Sequence, residues 1–270
     1  MSPAPDPDWI LVTNDDGVDS PALGPLLDAL RTIAPARAVV PDQERSWIGK
    51  AMSRFVPVTT GARVIGDHQV ITVSGYPADC TQLGVKSLFA DEPRLVVSGI
   101  NIGANHGASY LSASGTVGAA LEAAQVGLPG VAFSAVREGE WEVWSRFMSS
   151  PASRRDWQRL SALAAEIVGE VWTAGLPESV DVLSVNLPSS ADASTPRRIT
   201  RLAATRHGKL FAEHDGRYVH QGTVGLRVVG PDADDTDMAA SSADVISITP
   251  LRLAAIGHDL HPALRSRFER

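Results

Sequence analysis

The sequence predicts an α/β fold, a three-layer core in which a parallel sheet lies between helices, followed by a C-terminal extension. Three observations carry this. Short apolar runs of strand length recur at 9–13, 37–41, 94–98 and 130–135. Patterns of helical period separate them at 20–33, 77–90 and 115–127, and the run at 9–13 is continuously apolar rather than alternating. Strands spaced by helices close into parallel sheets with helices on both faces, because each crossover must return across a face of the sheet.

Residues 9–13 (WILVT) form a continuous apolar run, as expected of a strand buried on both faces. A helix is expected over 20–33. Ser20 suits the cap, Pro21 the first turn, and Leu23, Leu26, Leu27 and Leu30 share one face. Residues 37–41 complete a strand–helix–strand unit, and 42–62 read as irregular. A hairpin is expected at 63–73, with Asp67 and His68 near its turn. Pro77 starts a helix over 77–90; 94–98 is a strand, 99–114 a loop, 115–127 an alanine-rich helix and 130–135 a strand. Further on, 153–173 reads as a helix with Trp157, Leu160, Ala164, Ile167 and Val171 on one side. A strand follows at 181–187, short β-like runs broken by glycines at 198–229 suit a hairpin arm, and 245–249 returns to the sheet. The expected organisation is a flexible N-terminus at 1–8, a core at 9–190 and an extension at 191–270.

Composition narrows the function. The chain has 270 residues, 44% hydrophobic and 20% charged, with a formal net charge of −7. Such a balance suits a globular protein and speaks against a broad surface for duplex nucleic acid. No run approaches the roughly 20 apolar residues of a membrane span, and MSPAPDPDW lacks the cationic start and apolar centre of a secretory signal. One cysteine, Cys80, excludes an intrachain disulfide and a multi-cysteine metal site. A cytoplasmic location is expected. Several signatures are missing as well. IGKA at 48–51 is not a phosphate loop, glycines 99, 103 and 107 lack dinucleotide spacing, and there is neither a G-x-S-x-G elbow nor an H-E-x-x-H pair.

What remains is NDDG at 14–17, directly after the first strand. Ligands of open α/β sheets collect at the carboxyl ends of strands. Adjacent carboxylates there repel unless a proton or cation offsets them, so Asp15 and Asp16 read as ligands for a hard divalent cation. The competing reading is a plain turn in which Asn14 and Asp15 bond local backbone and Gly17 supplies a positive φ. Two more strand ends favour the cation: the second strand leads into Asp42, Arg45 and Ser46, and the third into Asn101. The fourth piece is SGTVGAA at 114–120, a loop–helix junction. Helix N-termini attract anions, so Ser114, Gly115 and Thr116 suit a phosphate. His106 lies in the same region as an ordinary loop histidine, and Cys80 reads as packing under its helix rather than as a nucleophile.

In order, ILVTNDDG (10–17), PDQERS (41–46), PADC (77–80), VVSGINIGAN (96–105) and SGTVGAA (114–120) resemble the SurE family, the survival-protein-E nucleotidases. Weaker echoes are VNLP (185–188), ITR (199–201), TD (236–237) and SITPL (247–251). The resemblance implies a Rossmann-like core and a metal-dependent phosphohydrolase releasing phosphate from nucleoside 5′-monophosphates. It implies one Mg²⁺ or Mn²⁺ per subunit held by Asp15, Asp16, Ser46 and Asn101, with Asp15 and Asp16 catalytic. Asn105, Ser114, Gly115 and Thr116 would line the phosphate pocket, and Asp237 would assist the leaving oxygen. It also implies a homodimer or homotetramer whose C-terminal segments exchange between subunits. Two other readings stay open: a broad phosphatase acting on 3′-nucleotides or short polyphosphates, and a metal-dependent nucleotide sensor without turnover. The chain departs from the family pattern at Trp47, where glycine is usual, at Tyr76, and at ASYLSA (108–113), which is one residue longer.

Overall fold

In the computed structural model the described residues are 9–137, 139, 141–222, 225–229, 233–253, 265 and 267. The expected flexible segment 1–8 and nearly all of the C-terminal segment beyond 253 lie outside them.

The first half holds β1 (Ile10–Thr13), α1 (Leu23–Leu30), β2 (Ala36–Pro41), β3 (Thr60–Ile65), β4 (His68–Val73), α2 (Pro77–Lys86), β5 (Leu95–Ile102), α3 (Gly107–Ala113) and α4 (Gly115–Gln125). The second half holds β6 (Gly130–Val136), α5 (Trp141–Met148), α6 (Arg154–Ala174), β7 (Val182–Pro188), β8 (Arg197–Ile199), β9 (Thr205–His207), β10 (Phe211–His214), β11 (Arg217–His220), β12 (Leu226–Val228), α7 (Asp237–Ser242) and β13 (Ile246–Leu251). Nine strands form one sheet in the order β3-β4-β2-β1-β5-β6-β7-β13-β8. From β4 to β7 every neighbouring pair is parallel, while β3 and β13 join antiparallel. The sheet therefore does not stop at residue 190, because β8 and β13 extend it.

Alternation along β1 explains the layers. Ile10 and Val12 point into one core with Leu23, Leu26 and Leu27 of α1 and Trp157, Leu160 and Ile167 of α6. Trp9 and Leu11 point into the other, with Val39, Cys80, Val85 and Ala123 beneath α2 and α4. Cys80 is fully buried there, and burial pushes its thiol well above the usual range, so it is no nucleophile.

Several expectations change. Helix α1 begins at Leu23, not residue 20, and Ser20 does not cap it. Pro25 sets this boundary: proline is tolerated only in the first helical turn, so a start at 20 would put it inside the helix. Helix α2 ends at Lys86, short of 90. The stretch expected as a loop at 99–114 contains the end of β5 and all of α3, while α5 and α7 are also new. These three helices are only six to eight residues long, short enough for tertiary contacts to decide them rather than local propensity. The hairpin arm exists as β10–β11, turned by Asp215 and Gly216 at positive φ, beside the antiparallel pair β9–β12.

Candidate functional site

The chain runs outward from β1 through β2 to β4, then crosses back to β5 on the other side of β1. That reversal makes the β1/β5 boundary the switch point of the sheet, where flanking loops diverge and leave a crevice. NDDG leaves β1 at this crevice. The Asn14 amide donates to Gly17 O at 3.0 Å and accepts from Gly17 N at 3.1 Å, closing the turn. Gly17 has φ 82, and a Cβ there would lie 2.6 Å from the Gln43 carbonyl carbon, so a side chain is excluded on both counts. With Asn14 and Gly17 bearing the turn, the two aspartates are left over for other work.

Asp15 is buried, and its Oδ1 accepts from the Thr116 hydroxyl at 2.5 Å. The backbone of Thr116 bonds the same carboxylate. Burial outweighs these bonds and raises the Asp15 pKa from 3.8 to about 6. Asp16 is half-buried and accepts from Ile102 N at 3.2 Å. Desolvation first, then the Asp15 charge, push it well above the usual carboxylate range. Glu44 adds negative charge near both. The neighbouring cations are engaged elsewhere. Arg45 meets Asp42 at 3.4 Å and Ser74 O at 2.9 Å, and Lys50 meets Glu122 at 2.5 Å. Among the described residues neither aspartate has an ion-pair partner.

Loops from β2 and β5 supply the other expected ligands. The 42–50 loop is tied to the NDDG turn by Arg45 N donating to Asp15 O at 2.7 Å. It is held on α4 by Lys50–Glu122 and on the end of α3 by Gly49 N donating to Ala113 O at 2.8 Å. Its Ser46 is exposed and donates to Glu44 at 2.7 Å, leaving oxygen lone pairs for a cation. A register shift between Ser98 and Asn101 re-aims the end of β5. The Asn101 amide nitrogen there donates to Gly103 O at 2.7 Å, which leaves Oδ1 as the acceptor. Asp15, Asp16, Ser46 and Asn101 all line one cavity of about 1210 Å³.

Asn105 and Ser114 line the same cavity. Asn105 is fixed by bonds to Asn186 at 3.0 Å and Ser134 at 2.7 Å. Ser114 caps α4 by accepting from Val117 N at 3.1 Å, so its own O–H remains to donate. Gly115 and Thr116 are buried beside Asp15. A Cβ on Gly115 would approach the Asp15 Cβ to 2.9 Å, and the Thr116 hydroxyl donates to Asp15. Both shape the aspartate. One expectation changes here: Asp237 is buried and accepts from Gly107 N at 2.8 Å and Ala203 N at 2.9 Å. That carboxylate joins α7 to the start of α3 and is absent from the cavity wall. His106 does line the cavity and meets Ser241 at 3.0 Å.

Gly118 in SGTVGAA packs against the 42–50 loop, a contact that nothing local in the sequence names. Its missing Cβ would stand 2.6 Å from Gly49 O, so the loop bearing Ser46 seats on α4 only at glycine. Lys50–Glu122, with Gln82 donating to Glu122 at 3.0 Å, was equally invisible, because its partners lie far apart in sequence.

The donor set fits a hard divalent cation. All four candidate ligands offer oxygen, and two adjacent carboxylates without a counter-charge, one buried and one half-buried, are what such an ion neutralises. Among the described residues no group of three or more His, Cys, Asp or Glu is arranged to hold a metal, which separates this site from zinc-type centres.

The family model described as "Survival protein SurE" matches residues 10–210. The chain belongs to the SurE family. It is 35% identical over 251 residues to the 5′-nucleotidase SurE of Methanocella arvoryzae, covering 90% of this chain and 91% of that one. It is 36% identical over 251 residues to the 5′-nucleotidase SurE of Methanoregula boonei, covering 90% and 92%. In structure this SurE-family chain is similar to the SurE protein of Aquifex aeolicus, with TM-score 0.70 and 28% identity over 96% of this chain and 97% of that one. Among the described residues no helix is long and apolar enough to cross a membrane.

Proposed function

We propose that this chain is a metal-dependent phosphohydrolase that releases phosphate from nucleoside 5′-monophosphates. The single observation that carries the reading is the Asp15–Asp16 pair at the switch point, desolvated and without a counter-charge, facing a cavity also lined by Ser46, Asn101, Asn105 and Ser114. Two relatives of about the same length bear the name 5′-nucleotidase SurE.

Asp15, Asp16, Ser46 and Asn101 would hold one divalent cation, Mg²⁺ or Mn²⁺, which supplies positive charge to phosphoryl oxygens and favours ionisation of water. The protein's own groups do the positioning. Asp15, fixed by Thr116, orients the attacking water with the carboxylate oxygen that Thr116 leaves open. The Ser114 hydroxyl and the Asn105 amide donate to the remaining phosphoryl oxygens, where charge grows as the leaving oxygen departs. Gly115 and Gly118 keep the aspartate and the Ser46 loop at their distances.

The test is phosphate release from a panel of nucleoside 5′- and 3′-monophosphates and short polyphosphates with Mn²⁺ or Mg²⁺, with and without chelator. Metal-dependent release favouring 5′-monophosphates is expected. Binding without release would indicate a sensor, and equal rates across the panel a broad phosphatase. A homodimer or homotetramer in cytoplasm is proposed with it.

A further inference from the structure

Beyond its acidic end, the cavity has an aromatic and apolar end that nothing in the phosphoryl chemistry uses. Trp47 adjoins Ser46 in the chain and holds φ 61, a left-handed conformation rare for a bulky residue. That backbone is costly, of order 1–2 kcal/mol, and persists where surroundings enforce it. Three elements gather around the indole. Tyr110 of α3 meets it edge-on at 5.7 Å between ring centres, His207 of β9 at 5.6 Å and His220 of β11 at 4.7 Å. Tyr110 in turn lies 5.9 Å from His207. Leu226, paired with His207 across the β9–β12 ladder, and Met238, beside Gly107 at the start of α3, continue the wall. Trp47, Tyr110, Leu226 and Met238 all line the cavity that holds Asp15 and Ser46. Trp47 keeps 37% of its surface exposed despite three ring neighbours.

We propose that this end is the nucleobase subsite, with Trp47 as its stacking residue and Tyr110 as the ring that fixes Trp47. The inference rests on the nucleotide reading above and names the part of the substrate that the aromatic end takes. Three physical points support it. The cavity volume exceeds what an inorganic phosphate and a cation fill, and drug-sized ligand pockets run about 300–1,000 Å³. An indole accepts any base through its π-face, without hydrogen-bond readout. The Ser46 hydroxyl and the indole sit on consecutive residues, with Cα atoms about 3.8 Å apart, so one short loop spans the ribose between phosphate and base. The subsite is therefore tolerant of base identity and intolerant of losing the ring.

The experiment compares wild type, Trp47→Gly and Trp47→Phe. Glycine suits the positive φ, so that variant relieves backbone strain rather than adding it. Equilibrium binding of adenosine, which has no phosphate, and of adenosine 5′-monophosphate is measured by calorimetry in chelator, independent of turnover. Phosphate release is then measured with Mn²⁺ on adenosine 5′-monophosphate and on ribose 5-phosphate, which has no base. Both adenine ligands should bind Trp47→Gly about ten-fold more weakly than wild type, with Trp47→Phe between. The kcat/KM ratio of adenosine 5′-monophosphate to ribose 5-phosphate should fall by the same factor. Equal adenosine binding by all three proteins, or none by any, would overturn the subsite. Release from neither ester by wild type would overturn the nucleotidase reading instead, and adenosine binding would still decide the subsite.

Discussion

Replacing Asp15 by asparagine should make the metal-free protein more stable, although the same change removes a residue assigned to catalysis. Asp15 is raised from 3.8 to about 6 in the fold, chiefly by burial. A folded-state carboxyl that holds its proton more tightly than the unfolded chain does costs stability once pH rises past both values. At 1.36 kcal/mol per pKa unit, the penalty approaches about 3 kcal/mol near neutral pH and shrinks to about 1 kcal/mol near pH 4.5. Asparagine keeps an acceptor for the Thr116 hydroxyl and carries no charge, so most of that penalty disappears. Coupling to Asp16 makes 3 kcal/mol a ceiling, and a gain of about 1–3 kcal/mol is the working expectation. The assay is urea unfolding in chelator at matched protein concentration, at about pH 7.5 and about pH 4.5. With Mn²⁺ present, wild type should gain stability by mass action and Asp15→Asn far less. A variant less stable than wild type in chelator near neutral pH, or a gap that does not narrow in acid, would refute the claim that Asp15 is buried without a compensating charge.

Other outcomes follow from the same geometry. Gly118→Ala places a methyl 2.6 Å from Gly49 O; the Ser46 loop must lift, costing about 1–3 kcal/mol in unfolding experiments and weakening Mn²⁺ binding in a calorimetric titration. Lys50→Met strands Glu122, whose side chain is only 4% exposed. The loss should be about 2–3 kcal/mol, below the 3–5 of a fully buried pair because Lys50 is partly solvated, and Lys50→Met with Glu122→Leu should recover much of it in a double-mutant cycle. Thr116→Val removes a hydrogen bond that favours the charged form of Asp15. The Asp15 pKa of the metal-free protein should rise further, so Mn²⁺ affinity in a calorimetric titration should fall more near pH 6 than near pH 8.

The layered fold was readable in the chain because its signals are local. The apolar runs at 9–13 and 94–98 and the leucine face of α1 follow from backbone periodicity alone, and β1 does send Ile10 and Leu11 into opposite cores. The candidate ligands were readable for the same reason, since Asp15, Asp16, Ser46 and Asn101 each lie just past, or at the end of, a strand. Nothing local reveals which loop leans on which. The sequence alone did not tell that Thr116 bonds Asp15, that Asp237 accepts from the backbone of Gly107 and Ala203, or that Gly118 is there to admit Gly49. Nor could it place Trp47 against Tyr110, His207 and His220, which meet only when the 42–50 loop, α3 and the β9–β12 segment fold over one another. Periodicity is a property of neighbouring residues, so the chain carries it openly; the charge state of a carboxylate and the neighbours of a ring depend on residues far away in sequence, and only the tertiary structure decides them.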